Sequence, residues 1–303
     1  MVQIRESMKG RVPLSVLCLI VLICFLLGMN WSVIKASNLY AAPFAVVCMR
    51  MLIAAVCLGI WIAAGRTDSL LPPPGLRGGV LCQSLLFSGH VVTLYLSVHY
   101  IAAGRSAMIC YTVPFFAVLF ERAFLGVKPT TKQVIGMCVA FAGIVMLFAD
   151  RPGNIPPGAS LLGDALVVVS AMCWAGSSIC TKKYLTAATK PQQTVFWSAV
   201  VCCVGTFVIA SLRGDFATVQ FTPAFALMLF YQGVLVAFVG FTILQMLIYR
   251  YSAGLIHSFT FLTPLFGVLG GIVFLGEPAG LIVGICLVMV CCGLVLVNSP
   301  RHG

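Results

Sequence analysis

Two similar stretches, "VPFFAVLFERAFLG" (113–126) and "TPLFGVLGGIVFLG" (263–276), decide the fold of this chain. Both place a proline at the second position of an apolar run, and both end in Phe-Leu-Gly. The two prolines, Pro114 and Pro264, lie 150 residues apart in a chain of 303. Proline interrupts a helix because it lacks the N–H group and its ring clashes with the preceding turn. A repeated apolar run with the same interruption predicts two halves that share one fold.

The composition predicts that both halves lie in a membrane. Hydrophobic residues make up 61% of the chain and charged residues 8%. A soluble domain carries about 25% charged residues, so this chain cannot cover itself with a water-compatible surface. Its apolar runs are about 20 residues long, which predicts helices and not the strands of a membrane barrel. We interpret ten spans, at 14–34, 43–63, 78–98, 102–121, 133–149, 160–181, 194–212, 224–249, 253–275 and 280–297.

The basic residues predict the orientation. With a cytoplasmic amino terminus, thirteen of the 18 Lys and Arg residues fall on the inner side. The outer side holds Lys35, Arg105, Arg151 and Arg213, and Arg50 falls within a span. This asymmetry follows the positive-inside rule and predicts that both termini are cytoplasmic. The net charge of +11 therefore reflects topology and does not indicate nucleic-acid binding, because no basic residues cluster among aromatic ones on a soluble surface.

The first and sixth spans repeat each other more loosely, in "LGMNWSVIK" (27–35) and "WAGSSICTK" (174–182). We place the two halves at 1–153 and 154–303, with five spans in each. Because five is an odd number, the second half enters the membrane upside down. Inverted repeats with interrupted helices are typical of secondary transporters, whose halves build a site near the membrane midplane and open alternately.

These residues resemble a known family. The pattern of residues 28–35, then Arg50, then Pro114 before its Phe-Leu-Gly ending, and Pro264 before "FLGE" (274–277) is similar to the EamA-type branch of the drug/metabolite transporter superfamily. The resemblance covers nearly the whole chain. It implies a ten-helix bundle of the bacterial inner membrane, with spans 5 and 10 at the periphery and the other spans around a central cavity. Members export amino acids and related metabolites, and the YddG-type branch exports aromatic amino acids.

Polar side chains predict which residues face that cavity. Span 3 carries Gln83, Phe87, His90, Leu94 and Ser97 at helical spacing, and a similar stripe runs along 231–249 in span 8. Polar faces of membrane helices turn toward protein or water. The predicted substrate-binding residues are Asn30, Trp31, His90, Tyr95, Tyr111, Trp174, Ser177, Gln245 and Thr263. Each alone also fits interhelical packing, but together they suit a small solute with an apolar side chain.

The sequence allows two interpretations for each of three ionisable residues in the spans. His90 and His257 either move a proton or hold a carboxylate, or they bond to a neighbouring helix. Arg50 either attracts an anionic group or, as we favour, binds carbonyl groups at broken helix ends.

Pro114 and Pro264 are predicted hinges that gate the two faces, together with Gly104 and Gly254. The alternative is a pair of static kinks that serve packing.

The scarcity of charged residues expected within the membrane limits the kinds of solute that the protein could transport. We expect no carboxylate at the membrane midplane, since Glu121 and Asp164 fall at predicted span boundaries. This disfavours proton-driven efflux of cationic drugs, which usually needs a buried acid. Anionic sugar nucleotides would require several basic groups in the cavity. Neutral or zwitterionic solutes remain, and amino acids with large apolar or aromatic side chains are the leading hypothesis.

No enzyme chemistry is expected. The fourteen cysteines show no ligand spacing, so no metal is predicted, and no cofactor or phosphate-binding loop is encoded. Ser88 and His90 point away from each other on one helix. The expected partners are a small-molecule substrate and membrane lipid, with the protein as a monomer. The alternatives are multidrug or other metabolite efflux and, from another class, a membrane-embedded enzyme or structural protein.

Overall fold

The computed structural model describes residues 13–65, 70–101, 103–149, 161–267 and 281–298. The regular elements in these ranges are helical, as predicted. The second Phe-Leu-Gly, at 274–276, and the predicted boundary between the halves lie outside the described residues.

The helices that build the bundle are α1 (Leu14–Ser37), α2 (Pro43–Ala64), α3 (Arg77–Tyr100), α4 (Ala103–Cys110), α5 (Val113–Leu125), α6 (Thr131–Ala149), α7 (Leu161–Cys180), α8 (Pro191–Arg213), α9 (Pro223–Phe230), α10 (Phe241–Arg250), α11 (Ala253–Phe259) and α12 (Leu281–Val297). A π-helical segment, Thr181–Leu185, extends α7, and another, Tyr231–Gly240, joins α9 to α10. In the described part of the chain, seven helical runs are long and apolar enough to cross a membrane, and three shorter apolar helices accompany them.

Two membrane segments are interrupted at equivalent positions. A turn at Tyr111 and Thr112 separates α4 from α5, and Pro114 lies in the first turn of α5. In the second half, α11 gives way to a 3₁₀ turn, Thr260–Leu262, just before Pro264. A proline in the first turn of a helix costs no intrahelical bond, so the chain breaks before the proline and a helix restarts at it. The interruptions predicted from the repeat are therefore present in both halves.

The π-helical segment Tyr231–Gly240 changes which side chains of this span face inward. A π-helix bonds residue i to i+5 and so rotates the following residues relative to a regular α-helix. Phe238 meets Trp61, with ring centroids 5.9 Å apart, and the Tyr231 hydroxyl donates to the Leu26 carbonyl at 2.7 Å. The buried residues of this segment are Gln232, Gly233, Val236, Ala237 and Gly240, so the inward face is shifted from the stripe predicted over the first part of 231–249.

Two residues predicted at the inner boundary are buried between helices. Glu121 is 3% exposed and accepts a hydrogen bond from the Ser252 hydroxyl at 3.0 Å, beside the start of α11. Lys182 is 5% exposed, and its Nζ lies 3.4 Å from the Tyr249 carbonyl, to which it donates. The boundary assignment was wrong because both helical runs continue about one turn beyond the predicted span ends, to Leu125 and Leu185. A buried carboxylate therefore exists in the bundle, although it lies near a helix end.

The helices α6 and α12 cross each other at a pair of glycines. A Cβ atom added at Gly136 would lie 2.5 Å from the Gly293 carbonyl oxygen, and one added at Gly293 would lie 2.5 Å from the Gly136 carbonyl oxygen. Small residues allow membrane helices to approach this closely, where packing and not the hydrophobic effect holds them together. These helices correspond to the predicted spans 5 and 10.

Candidate functional site

A cavity of about 40 Å³ lies inside the bundle and is called the first cavity below. Its walls come from α1, α2, α3, α7 and α10 and from both interrupted segments. It is lined by Leu27, Asn30, Trp31, Ile34, Arg50, His90, Val91, Leu94, Tyr95, Cys110, Tyr111, Trp174, Phe241, Thr260 and Thr263. A water molecule needs about 10–15 Å³ of such space, so the cavity holds about three waters in this conformation.

Seven of the nine predicted substrate-binding residues line the first cavity. They are Asn30, Trp31, His90, Tyr95, Tyr111, Trp174 and Thr263. The other two, Ser177 and Gln245, line a second cavity of about 20 Å³ between α3, α7, α8 and α10. Ser177 donates to the Trp174 carbonyl at 2.8 Å, and Gln245 Nε2 donates to the Thr181 hydroxyl at 2.9 Å. The structure therefore divides the predicted site into two chambers.

An aromatic layer separates the two cavities. Trp174 and Phe241 line both of them. The His90 ring stacks on Trp174, with centroids 4.6 Å apart and 20° between the planes, and His257 meets Trp174 edge-on at 5.1 Å. Phe87 meets Phe241 edge-on at 5.0 Å. A solute that passes from one cavity to the other has to displace Trp174 or Phe241.

Both histidines bond to α7. His90 Nδ1 lies 2.8 Å from the Ser170 hydroxyl, and that hydroxyl donates to the His90 carbonyl at 3.0 Å. Because a hydroxyl has one proton, Ser170 must accept from His90 Nδ1–H, which assigns the proton-bearing nitrogen in this contact to Nδ1. His257 Nε2 lies 2.8 Å from the Ser178 hydroxyl. These contacts agree with the interhelical interpretation, while His90 also borders the first cavity.

Arg50 belongs to the first cavity, although the sequence favoured a structural role for it. Its side chain is 2% exposed, Nη1 donates to the Tyr95 hydroxyl, and the guanidinium lies 5.3 Å from the Tyr95 ring centroid. Tyr95 in turn donates to the Gln232 side-chain carbonyl. The position of Arg50 within a predicted span was the sequence signal for a role in the cavity. A charge inside a membrane span costs about 2.5–3.5 kcal/mol and is usually functional.

The interrupted segments also border the first cavity. Each proline lacks the N–H that would bond to the carbonyl four residues earlier, which belongs to Cys110 in one half and to Thr260 in the other. Cys110 and Thr260 both line the first cavity. Between them, the Trp31 indole N–H donates to the Tyr111 hydroxyl at 3.0 Å. The predicted hinge glycines Gly104 and Gly254 are the second residues of α4 and α11.

An interrupted helical bundle around an internal cavity with aromatic and polar lining residues is typical of membrane transport proteins. The sequence pattern of the EamA-like transporter family matches residues 14–149 and 161–299, so the chain belongs to that family. It is a multi-pass integral membrane protein.

The chain is similar to several bacterial transporters over most of its length. An uncharacterized Bacillus subtilis transporter, YvbV, is 26% identical over 90% of this chain and 88% of its own. A probable amino-acid metabolite efflux pump of Escherichia coli K12 is 24% identical over 87% of both chains. The uncharacterized E. coli K12 inner membrane transporter YedA is 24% identical over 91% of this chain and 88% of its own.

A solved structure shares the fold. It is a crystal structure of a protein 17% identical to this one, and it superposes with a TM-score of 0.76 over 92% of this chain and 94% of the other.

Proposed function

We propose that this protein is a secondary carrier that exports amino acids, including those with large apolar or aromatic side chains, by alternating access. The observation that carries the proposal is the pair of equivalent interruptions, whose residues Cys110 and Thr260 border one cavity between the halves. Unwound backbone at membrane depth is tolerated where it lines a cavity, and there it offers carbonyl groups to a solute. The small volume of the cavity fits a state that must widen to admit cargo.

The proposed architecture is ten membrane spans in two inverted halves, 1–153 and 154–303, with both termini in the cytoplasm and the protein acting as a monomer. The two family matches, at 14–149 and 161–299, support this division. The seven long and three shorter apolar helices of the described part accommodate the ten spans. In this topology the first cavity lies nearer the outer face and the second nearer the cytoplasm.

The proposed cargo follows from the walls of the first cavity. Trp31, Tyr111 and Trp174 offer aromatic surface, and Asn30 and Thr263 add small polar groups. The similarity to the E. coli amino-acid metabolite efflux pump supports amino acids as the class. Multidrug or other metabolite efflux is the alternative within the family, and the small polar groups favour the amino-acid class over large lipophilic drugs.

An enzymatic role has little support in the described geometry. The Ser88 hydroxyl donates to the Ser84 carbonyl at 2.7 Å, and His90 pairs with Ser170 instead. Ser88 is therefore not paired with a histidine base, as nucleophilic catalysis by that serine would require.

A transport panel tests the proposal. Purified protein is reconstituted in liposomes loaded with radiolabelled phenylalanine, methionine, alanine or ethidium, and release is followed with no nucleotide present. We expect release of phenylalanine and methionine to exceed that from protein-free liposomes, and slower release of alanine. Release of ethidium without release of any amino acid would contradict the proposal and favour multidrug efflux.

A further inference from the structure

One edge of the Arg50 guanidinium makes no hydrogen bond to the described residues. Its Nε and Nη2 atoms are buried and bond to nothing in the part of the chain that the structure describes, while Nη1 donates to the Tyr95 hydroxyl. Arg50 lines the first cavity, and no Asp or Glu occurs among the described residues that line it. A buried charge without a partner is unfavourable, so this edge is suited to an anion that enters the cavity.

The free edge has the shape that binds a carboxylate. Nε and Nη2 point the same way from the planar guanidinium and match the two oxygens of a carboxylate group. The same chain shows this arrangement at another site, where Arg105 Nε and Nη2 donate to the two oxygens of Asp164 at 2.8 and 2.6 Å. Arg105 therefore makes the two-point contact with a carboxylate that Arg50 does not make in the structure.

Tyr95 and Gln232 hold Arg50 in place. Tyr95 accepts from Nη1 and donates to the Gln232 side-chain carbonyl, and both residues are buried. The guanidinium also lies over the Tyr95 ring. This support fixes the plane of the guanidinium and leaves Nε and Nη2 without a hydrogen bond to the described residues, which is the preorganisation that a binding site needs.

The partners for an ammonium group are neutral. Asn30 Oδ1 is buried and bonds to none of the described residues, and the Cys110 carbonyl loses the helical donor that Pro114 cannot supply. Such groups accept from an ammonium but add no opposite charge. A carboxylate is therefore recognised by a charge and an ammonium only by dipoles.

We propose that Arg50 binds the carboxylate of the cargo, and that the first cavity takes monocarboxylates with an apolar body, whether or not they carry an ammonium group. The inference rests on the proposed function and narrows it. Aromatic amino acids belong to this class. Amines that lack a carboxylate are excluded, since they would bring a second positive charge to Arg50 in a site of low dielectric constant.

Competition binding tests this inference. Radiolabelled phenylalanine is bound to purified protein in detergent and competed with 3-phenylpropionate, phenethylamine or acetate. We expect 3-phenylpropionate to compete about as well as phenylalanine, and phenethylamine to fail. Acetate, which has the carboxylate without the apolar body, should compete far more weakly.

Variants of Arg50 complete the test. Arg50→Gln should weaken phenylalanine binding by about tenfold or more, because it removes charged hydrogen bonds, and should erase the preference for 3-phenylpropionate over phenethylamine. Arg50→Lys keeps the positive charge but loses the paired N–H donors of the guanidinium. It should retain the preference for 3-phenylpropionate over phenethylamine and bind phenylalanine more weakly than the wild type. The control is Arg213→Gln, whose side chain is 62% exposed and lies outside the cavity, and it should bind like the wild type.

The outcomes separate the two proposals. Wild-type affinity in a folded Arg50→Gln variant, or equal competition by phenethylamine and 3-phenylpropionate, would overturn the role of Arg50 and leave amino-acid export standing. Wild-type protein that binds neither phenylalanine nor 3-phenylpropionate would overturn the proposed cargo as well.

Discussion

Cys110 and Thr260 occupy equivalent positions in the two halves, 150 residues apart, and border the same cavity. Each lies four residues before a proline, which cannot supply the donor of a regular helix, and the Thr260 carbonyl accepts from the Thr263 N–H instead. The repeat seen in the sequence therefore becomes a pair of breaks that face each other across one chamber. A site built by both halves can respond to the movement of either half.

Removing the prolines should slow transport. Pro114→Ala and Pro264→Ala each provide a helical N–H and so favour a continuous helix through the break. Because a helical hydrogen bond contributes about 1 kcal/mol, we expect transport to slow about fivefold with little change in expression. The measurement is the rate of phenylalanine release from proteoliposomes.

Pro43→Ala is the matched control, since Pro43 begins the uninterrupted helix α2, where the missing N–H has no helical partner. Native transport rates in both Pro114→Ala and Pro264→Ala would show that the breaks serve packing and not gating.

Trp174 should matter most for bulky cargo. Its ring borders both cavities and stacks on His90, so Trp174→Ala removes the aromatic surface that an apolar side chain would pack against. We expect phenylalanine transport to fall about tenfold and alanine transport to fall much less, because burying an aromatic surface contributes about 1.5 kcal/mol or more. Trp174→Phe retains a ring and should restore much of the rate. An equal effect on both amino acids would remove Trp174 from cargo recognition.

The glycine crossing of α6 and α12 should control stability. Gly136→Ala and Gly293→Ala each force a Cβ atom against a backbone carbonyl, and overpacking of this kind costs about 1–3 kcal/mol. Thermal unfolding in detergent should therefore occur at a lower temperature. Gly205→Ala is the control, because a Cβ atom there meets nothing within 4 Å. An unfolding temperature unchanged in both crossing variants would contradict the close packing.

The topology predicts opposite accessibility for two exposed loop residues. In a background without native cysteines, Ala217→Cys should react with an impermeant maleimide added outside intact cells. Ala187→Cys should react only after the membrane is opened. The reverse labelling pattern would show that the protein has the opposite orientation in the membrane, with the first cavity nearer the cytoplasm.

The sequence predicted the parts of the site that depend on regular helices. His90 and Tyr95 lie on the regular helix α3, and both reach the first cavity as the helical spacing predicted. Phe241 was missed although it lies four residues before the predicted Gln245 on the regular helix α10, because an apolar residue does not stand out within an apolar span.

Contacts between residues far apart in the chain were the other feature that the sequence did not predict. Arg50, Tyr95 and Gln232 come from three helices far apart in the chain, so the unpaired edge of Arg50 appears only once they are packed together. Glu121 was assigned to a surface because the span was predicted to end there, whereas α5 continues and packs its carboxylate against Ser252.

Counterflow is the most direct test of alternating access. Proteoliposomes are loaded with a high concentration of unlabelled phenylalanine and diluted into a trace of labelled phenylalanine. A carrier that exposes one site to each side in turn exchanges the two, so labelled phenylalanine should accumulate inside, transiently, above its external concentration. Entry of label that rises only to equilibrium, in liposomes that release phenylalanine, would indicate an open pathway and contradict the carrier mechanism.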